Sequence, residues 1–345
     1  MIDEKQVVVV GGGPVGLYAA LQLQRAGYLC TVLEKGLLPH DKLCGGGMPP
    51  AVRTRLYKLG IQLGGWCYRD LHIYFPPTDE RVVHLKHVGM EVLPRRWLSE
   101  ALLRCALDHG VTVLANSPVL AEMVDVPGHA INLPTVTVPY KHLILASGAS
   151  GLARSLIGRR TPQYQLKCVQ RQIVCPGFNQ LATGWTHQYG PNYSWAFSAG
   201  DDVLVGTCGP KEVDLEASMA HWLSTICLPD VGQNARWLIP CDYQGVSHDD
   251  DISLVGDAAG MASVLTGEGL HQGMASADAV VGKITGRRND RDLKAVLRQK
   301  WAHARLWDWR RSSRRHCKMS NRLFQRMLGT SVGQQYMVRF LGLAE

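Results

Sequence analysis

Four groups of residues in this chain have types and spacings suited to chemistry. The first is Gly11-Gly12-Gly13-Pro14-Val15-Gly16, followed by an acid at Glu34 with Lys35 beside it. In a G-x-G-x-x-G pattern the first glycine allows a tight turn and the second lets backbone approach a pyrophosphate. The third lets helix and strand close up. Gly11, Gly13 and Gly16 hold these places. Pro14 and Val15 then open a helix, whose unpaired N–H groups can meet phosphate. Glu34 is placed to accept from a ribose hydroxyl, which argues against a 2′-phosphate there. The second group is "KLCGGGM", residues 42–48. Three adjacent glycines are costly to order, and Cys44 beside them could be a ligand, a redox thiol or a small hydrophobe.

The third group begins at Gly256-Asp257, continues through Gly260, Gly267, Gly269 and Gly273, and leads into a helix predicted from Gly269 to about Ile284, with Leu270 in its first turn. Asp257 can accept from a sugar hydroxyl. The helix start carries partial positive charge, which suits the negative charge of a reduced flavin near N1 and the C2 carbonyl. A nicotinamide has no such need. The plain alternative is a packed β-α unit with glycines for close approach. The fourth group is Tyr193, Trp195 and Phe197, which alternate and so share one face of a strand. That face is either core or the wall of an apolar pocket.

The surrounding elements can position these groups. "QVVVV" at 6–10 reads as a buried parallel strand, "LYAALQLQRAG" as a helix and "LCTVLEK" as a second strand ending at Glu34. Arg95 and Arg96 precede an amphipathic helix at 97–108; one of them reaches the phosphates or the adenosine side, or both are a solvated pair. "YKHLILASGASG" is a strand running into a glycine turn, which adds Ala146 and Gly148 to the cofactor residues. Residues 161–245 suggest short antiparallel strands and a helix at "VDLEASMAHWLSTIC". The expected architecture is α/β (α+β overall): a Rossmann-like FAD-binding domain (1–160 and 246–290) with a central parallel sheet, an inserted antiparallel-sheet cap (161–245) and a basic helical C-terminal segment (291–345).

Composition narrows the classes. The 345 residues are 46% hydrophobic with a formal charge of +8, ample for a core. No apolar run is long enough to span a membrane, and the acidic start is the wrong order for a secretory signal. Ten cysteines without a C-x-x-C pair, and thirteen scattered histidines, make a metal site a poor reading. A reduced cytoplasmic setting fits. Basic charge concentrates near the end, where Arg310, Arg311, Arg314, Arg315, Lys318, Arg322 and Arg326 interleave with or follow Trp301, Trp307 and Trp309. That pattern suits peripheral contact with an anionic membrane or a lipid substrate, or an ordinary solvated face. Nucleic acid is not expected, because no recognition motif accompanies the charge.

"GGGPVGLYAA", "KLCGGGM", "YSWAF" and "GDAAGMASVLTGEG" together resemble the geranylgeranyl reductase family of FAD-dependent oxidoreductases, within the wider para-hydroxybenzoate-hydroxylase-like flavoproteins. This chain departs from the pattern at Ser198, where the family often has proline, and at Ser150-Gly151, where related hydroxylases carry Asp-Gly. The resemblance implies FAD as cofactor and saturation of carbon–carbon double bonds of an isoprenoid or similar apolar substrate. It places Cys44, Gly45 and Gly46 at the reactive flavin face and Tyr193, Trp195 and Phe197 around the substrate. The reductant is NAD(P)H or an external donor protein. The rival readings are an FAD monooxygenase and a membrane-associated flavin electron-transfer protein.

Overall fold

The computed structural model describes residues 3–40, 44–75, 79–85, 89–186, 188–287 and 290–343. Its centre is a five-stranded sheet of β1 (Gln6–Val10), β2 (Leu29–Leu33), β3 (Thr112–Leu114), β4 (His142–Leu145) and β5 (Ile252–Leu254), in the order β5-β4-β1-β2-β3 with every pairing parallel. Val7 and Val9 point to one face and Val8 and Val10 to the other, and all four are buried. Both faces are therefore covered, as a parallel sheet requires. On the Val7 side lie helices α1 (Pro14–Arg25), α2 (Arg95–Asp108) and α3 (Leu270–Ile284). On the Val8 side lie a small three-stranded antiparallel sheet and part of α4 (Arg291–Ser312). The chain leaves β1 toward β2 and β3 and returns on the other side through β4 and β5. The carboxyl ends of β1 and β4 thus flank a topological switch point, where ligands of such sheets bind.

A second, seven-stranded sheet holds Tyr193–Ala199 between Asp202–Gly209 and Leu181–Gly184. Its hairpin turns at Gly200, with φ +70°, a conformation glycine adopts freely. Period two sorts its faces. Trp195 and Phe197 join one apolar cluster, while Ala196, Val203 and Val205 join another with Met219 and Trp222 of the helix Leu215–Thr225. Trp222 Nε1 donates to the Trp195 carbonyl at 3.0 Å, tying that helix to the back of the sheet.

The structure revises two expectations. The cap sheet is not confined to 161–245: Asp70–Phe75 pairs in parallel with Leu181–Gly184, and Asp79–His84 extends the edge beyond it. These strands come from within the stretch assigned to the FAD-binding domain, and their pairing closes over a hundred residues of separation that local pattern does not record. The C-terminal segment, α4 with α5 (Arg314–Leu328) and α6 (Ser331–Phe340), is helical as expected. Its basic, tryptophan-bearing pattern is nevertheless partly interior. Trp307 is 2% exposed and Arg310 0%, and Arg310 Nη1 donates to Asn321 Oδ1 at 2.7 Å and to Ser320 Oγ. These helices pack on the Trp185 and Phe75 side of the cap sheet. No helix among the described residues is long and apolar enough to cross a membrane.

Candidate functional site

The first glycine turn is enforced by backbone. Gly11 has φ +115°, and a Cβ on it would stand 2.3 Å from the Ala146 carbonyl oxygen; a Cβ on Gly16 would stand 2.0 Å from the Gly11 oxygen. Gly13 differs. A Cβ there meets nothing within 4 Å, and Gly13 caps α1 with no side-chain hydrogen bond, followed by Pro14. Val15 and Gly16 follow in the first turn, where N–H groups have no acceptor within the helix. Glu34 is buried at the end of β2, where its carboxylate accepts the Gly12 N–H at 2.7 Å and the Gly36 N–H at 3.1 Å. Burial pushes its pKa up, but hydrogen bonds from His40, Gly12 and Gly36 outweigh that and hold the carboxyl below its usual range. Lys35 is exposed. Ala146 underlies Gly11 and Gly16, Gly148 is in the left-handed region with open space around it, and the buried Ser147 hydroxyl has no partner.

The second glycine region lies against the first. Gly256, at φ +61°, donates its N–H to Ser276 Oγ at 3.0 Å, and a Cβ on it would be 3.5 Å from Val15. A Cβ on Gly273 would be 2.7 Å from the Val15 side chain. So α3 crosses the start of α1, and the two glycine sites share one edge of the parallel sheet. Asp257 is near the start of α3, with its Oδ1 3.4 Å from the Cβ position of Gly269. Gly267 turns toward Ile239 and Cys208 of the cap.

Beside the start of α3 lies a closely packed crevice lined by Gly46, Gly47, Met48, Leu93, Arg95, Leu98 and Leu270. Of the "KLCGGGM" stretch, Lys42 and Leu43 lie outside the described residues. Cys44 is half-buried, and Arg95 Nη2 lies 2.7 Å from its sulfur. The following glycines are packed under the cap aromatics. A Cβ on Gly45 would stand 2.9 Å from Trp195 Nε1 and 3.3 Å from Phe197, and one on Gly47 would stand 3.2 Å from Phe197. Gly46, at φ +71°, would collide with the Leu93 oxygen at 2.5 Å. Tyr193 stacks on Trp195 with centroids 6.1 Å apart, and burial raises its phenol pKa. Trp195 Nε1 is buried without a partner.

Several residues at this place lack an obvious motif signal. Glu268 accepts the His271 N–H at 2.9 Å at the start of α3 and is bonded by Leu270 and Gln272; burial raises its carboxyl pKa. Gln272 Oε1 is buried and unpartnered. From α4, Lys300 donates to the carbonyls of Cys241 (3.0 Å) and Ala262, and His303 bonds Ser263 Oγ at 2.8 Å. The C-terminal helices thereby hold the 260–263 loop. A polar residue between two glycines at a helix entry would have been a usable cue for Glu268. Nothing local marks Lys300 or His303.

The geometry fits a long, bent anionic cofactor with a flat polar ring. One end has an open helix start and a hydrogen-bonded acid, and the other has glycine backbone, orphaned polar atoms and aromatic rings. Among the described residues no cluster could hold a metal ion. The chain matches the family described as FAD binding domain over residues 4–47. It is 25% identical to a menaquinone reductase of Mycolicibacterium smegmatis over 79% of this chain and 75% of that one. It is 22% identical to a digeranylgeranylglycerophospholipid reductase of Methanosphaera stadtmanae over 89% and 82% of the two chains. Among solved structures, a flavin-dependent brominase superposes with a TM-score of 0.72 at 15% identity, covering 98% of this chain and 93% of that one.

Proposed function

We propose that the chain is an FAD-dependent reductase saturating carbon–carbon double bonds of an isoprenoid or similar apolar substrate, a reading supported by the FAD binding domain match over residues 4–47. The observation that carries this reading is the Gly45–Gly47 backbone lying under Trp195 and Phe197 beside the crevice. These rings pack on that backbone from the cap side, and aromatic surroundings of this kind suit an apolar substrate better than a polar ring. The names of the two curated relatives, both reductases and one of a digeranylgeranyl lipid, support the same class.

In this reading Gly11, Gly13, Pro14, Val15 and Gly16 hold the pyrophosphate and Glu34 the adenosine ribose, with Ala146 and Gly148 beside them and Lys35 at the outer rim. Gly256 and Asp257 hold the ribityl chain, and Gly267, Gly269 and Leu270 hold the pyrimidine edge of the flavin. Cys44, Gly45, Gly46 and Arg95 would lie on the reactive side of the ring. A bound flavin, once reduced, would supply the hydride chemistry here. Trp195 and Phe197, with Tyr193 stacked behind, orient the chain of the substrate and exclude water, which matters most for an unactivated alkene. The Cys44 thiol would deliver the proton to the alkene carbon that does not receive the hydride. NAD(P)H or a donor protein reduces the flavin. Exposed Met319, Leu323, Val332 and Tyr336 beside Arg315, Lys318 and Arg322 on α5 and α6 form the face for peripheral contact with an anionic membrane.

The test is a purified protein with a visible flavin spectrum, reduced by dithionite and incubated without oxygen with prenylated quinones and digeranylgeranyl lipids. Products heavier by a hydrogen pair are expected. A hydroxylated product that forms only with oxygen would replace this reading with the monooxygenase one.

A further inference from the structure

We infer that Arg95 is the positioning residue of Cys44: its guanidinium holds the sulfur toward the crevice and stabilises the thiolate left when the thiol gives up its proton. Resting on the proposed reductase reading, this assigns Arg95 a part in protonation and not only in cofactor binding. Arg95 Nη2 is 2.7 Å from Cys44 Sγ. Arg95 is also the first residue of α2, at the amino end where the helix adds partial positive charge. It lines the crevice together with Gly46, Gly47 and Leu270. A thiol beside a fixed cation ionises well below the free value of about 8.5, and an acid serves best when its pKa is near the working pH.

Among the described residues, charged groups near this pair are engaged elsewhere. Glu91, on the strand paired with Gly47–Met48, is held by Arg53 at 3.0 Å and by the Gly65 N–H. Glu268, which also feels Arg95, is bonded by the start of α3 and has its carboxyl raised by burial, weakening it as a competing anion. Tyr193 is raised by burial too and stays neutral. In the reaction, the S–H bond breaks and its proton forms a C–H bond at the alkene carbon that does not receive the hydride. The electron pair remains on sulfur, paired with Arg95, and water restores the proton afterwards.

The test uses the flavin-loaded and the flavin-stripped protein. Alkylation by iodoacetamide is followed peptide by peptide across pH, with exposed Cys67 and Cys227 as internal references. Cys44 should titrate about one unit or more below them. R95M should raise that midpoint and slow alkylation at neutral pH about tenfold, one unit being a factor of ten, while R95K retains part of the offset. In the loaded protein a thiolate-to-flavin charge-transfer band should rise with pH through the same midpoint and move upward in R95M. Cys44 titrating like Cys227 in the unsubstituted protein overturns the inference without any variant, as does an R95M midpoint equal to the parent's while the reference thiols are unchanged. A yellow protein lacking the offset sinks this inference alone. A protein that keeps the offset but binds no flavin sinks the reductase reading and leaves the pair standing.

Discussion

Two runs of three glycines stand in this chain, and they are glycine for opposite reasons. Gly11–Gly13 belongs to a single β-α-β unit, with Gly11 pressed against the Ala146 backbone and Gly13 open to the outside. Gly45–Gly47 belongs to no such unit; the rings of Trp195 and Phe197, about 150 residues further on by the sequence numbering, press on Gly45 and Gly47. Gly13 leaves room for a ligand, whereas Gly45 and Gly47 leave room for the protein's own cap. Absence of a side chain therefore answers to something outside the chain in one case and to tertiary packing in the other.

The largest effect should come from Gly16→Ala. Its Cβ would be 2.0 Å from the Gly11 oxygen and 3.1 Å from Ala146 Cβ, and neither backbone nor β1–β4 spacing can give way. A loss of about 3 kcal/mol of stability in urea unfolding is expected, often seen as failure to accumulate soluble protein. Wild-type-like unfolding of this variant would break the claim that backbone contact with Gly11 requires glycine at position 16.

Gly45→Ala should cost less, about 1–2 kcal/mol, because the obstacle is a side chain that can shift. Indole emission should change with it, since the added methyl meets Trp195. Combining it with Trp195→Leu should recover about 1 kcal/mol relative to additivity, the signature of direct contact. Strict additivity would mean that the second run is glycine for some local reason after all.

The same division decides what could be read from the chain unaided. Gly11, Gly13, Gly16 and Glu34 were legible because one strand–turn–helix–strand unit encodes them within a short stretch and every element repeats the message. The alternation of Tyr193, Trp195 and Phe197 was legible as a shared face, though not as the lid over Gly45. The joining of Asp70–His84 to the cap sheet was not legible, nor was the Arg95–Cys44 contact across 51 residues. Burial of Trp307 and Arg310 was hidden in the same way: a helix that reads as basic and aromatic carries no mark of which turn faces inward once a second sheet covers it. Glu268 lay in plain view in "TGEG", but its capping role depends on where α3 begins.

Tertiary dependence also gives a pH response. His303 is buried with Nδ1 against Ser263 Oγ and Nε2 at 2.7 Å from the Phe340 carbonyl, an arrangement for a neutral ring. Burial, aided by Lys300, pushes its pKa down to about 4 from 6.5. The native state therefore resists a proton that the unfolded chain accepts. Stability should be full above about pH 6.5 and fall as pH drops toward 4, by an amount on the order of 2–3 kcal/mol. Urea midpoints measured across that window should flatten in His303→Gln, which keeps a polar group but cannot titrate. An unchanged slope would show that the clamp on the 260–263 loop is not carried by this residue.

Gly13→Ala should have the smallest effect on stability, within about 0.5 kcal/mol, because its φ of −69° suits any residue and a methyl there meets nothing within 4 Å. Its effect should fall almost wholly on the ligand. The methyl would project into the open space beside the start of α1, and FAD affinity in a fluorescence titration should weaken about tenfold or more, the loss expected when close backbone approach to a pyrophosphate is blocked. Unchanged affinity would mean that the cofactor passes elsewhere, and the contrast between the two glycine runs would then reduce to packing in both.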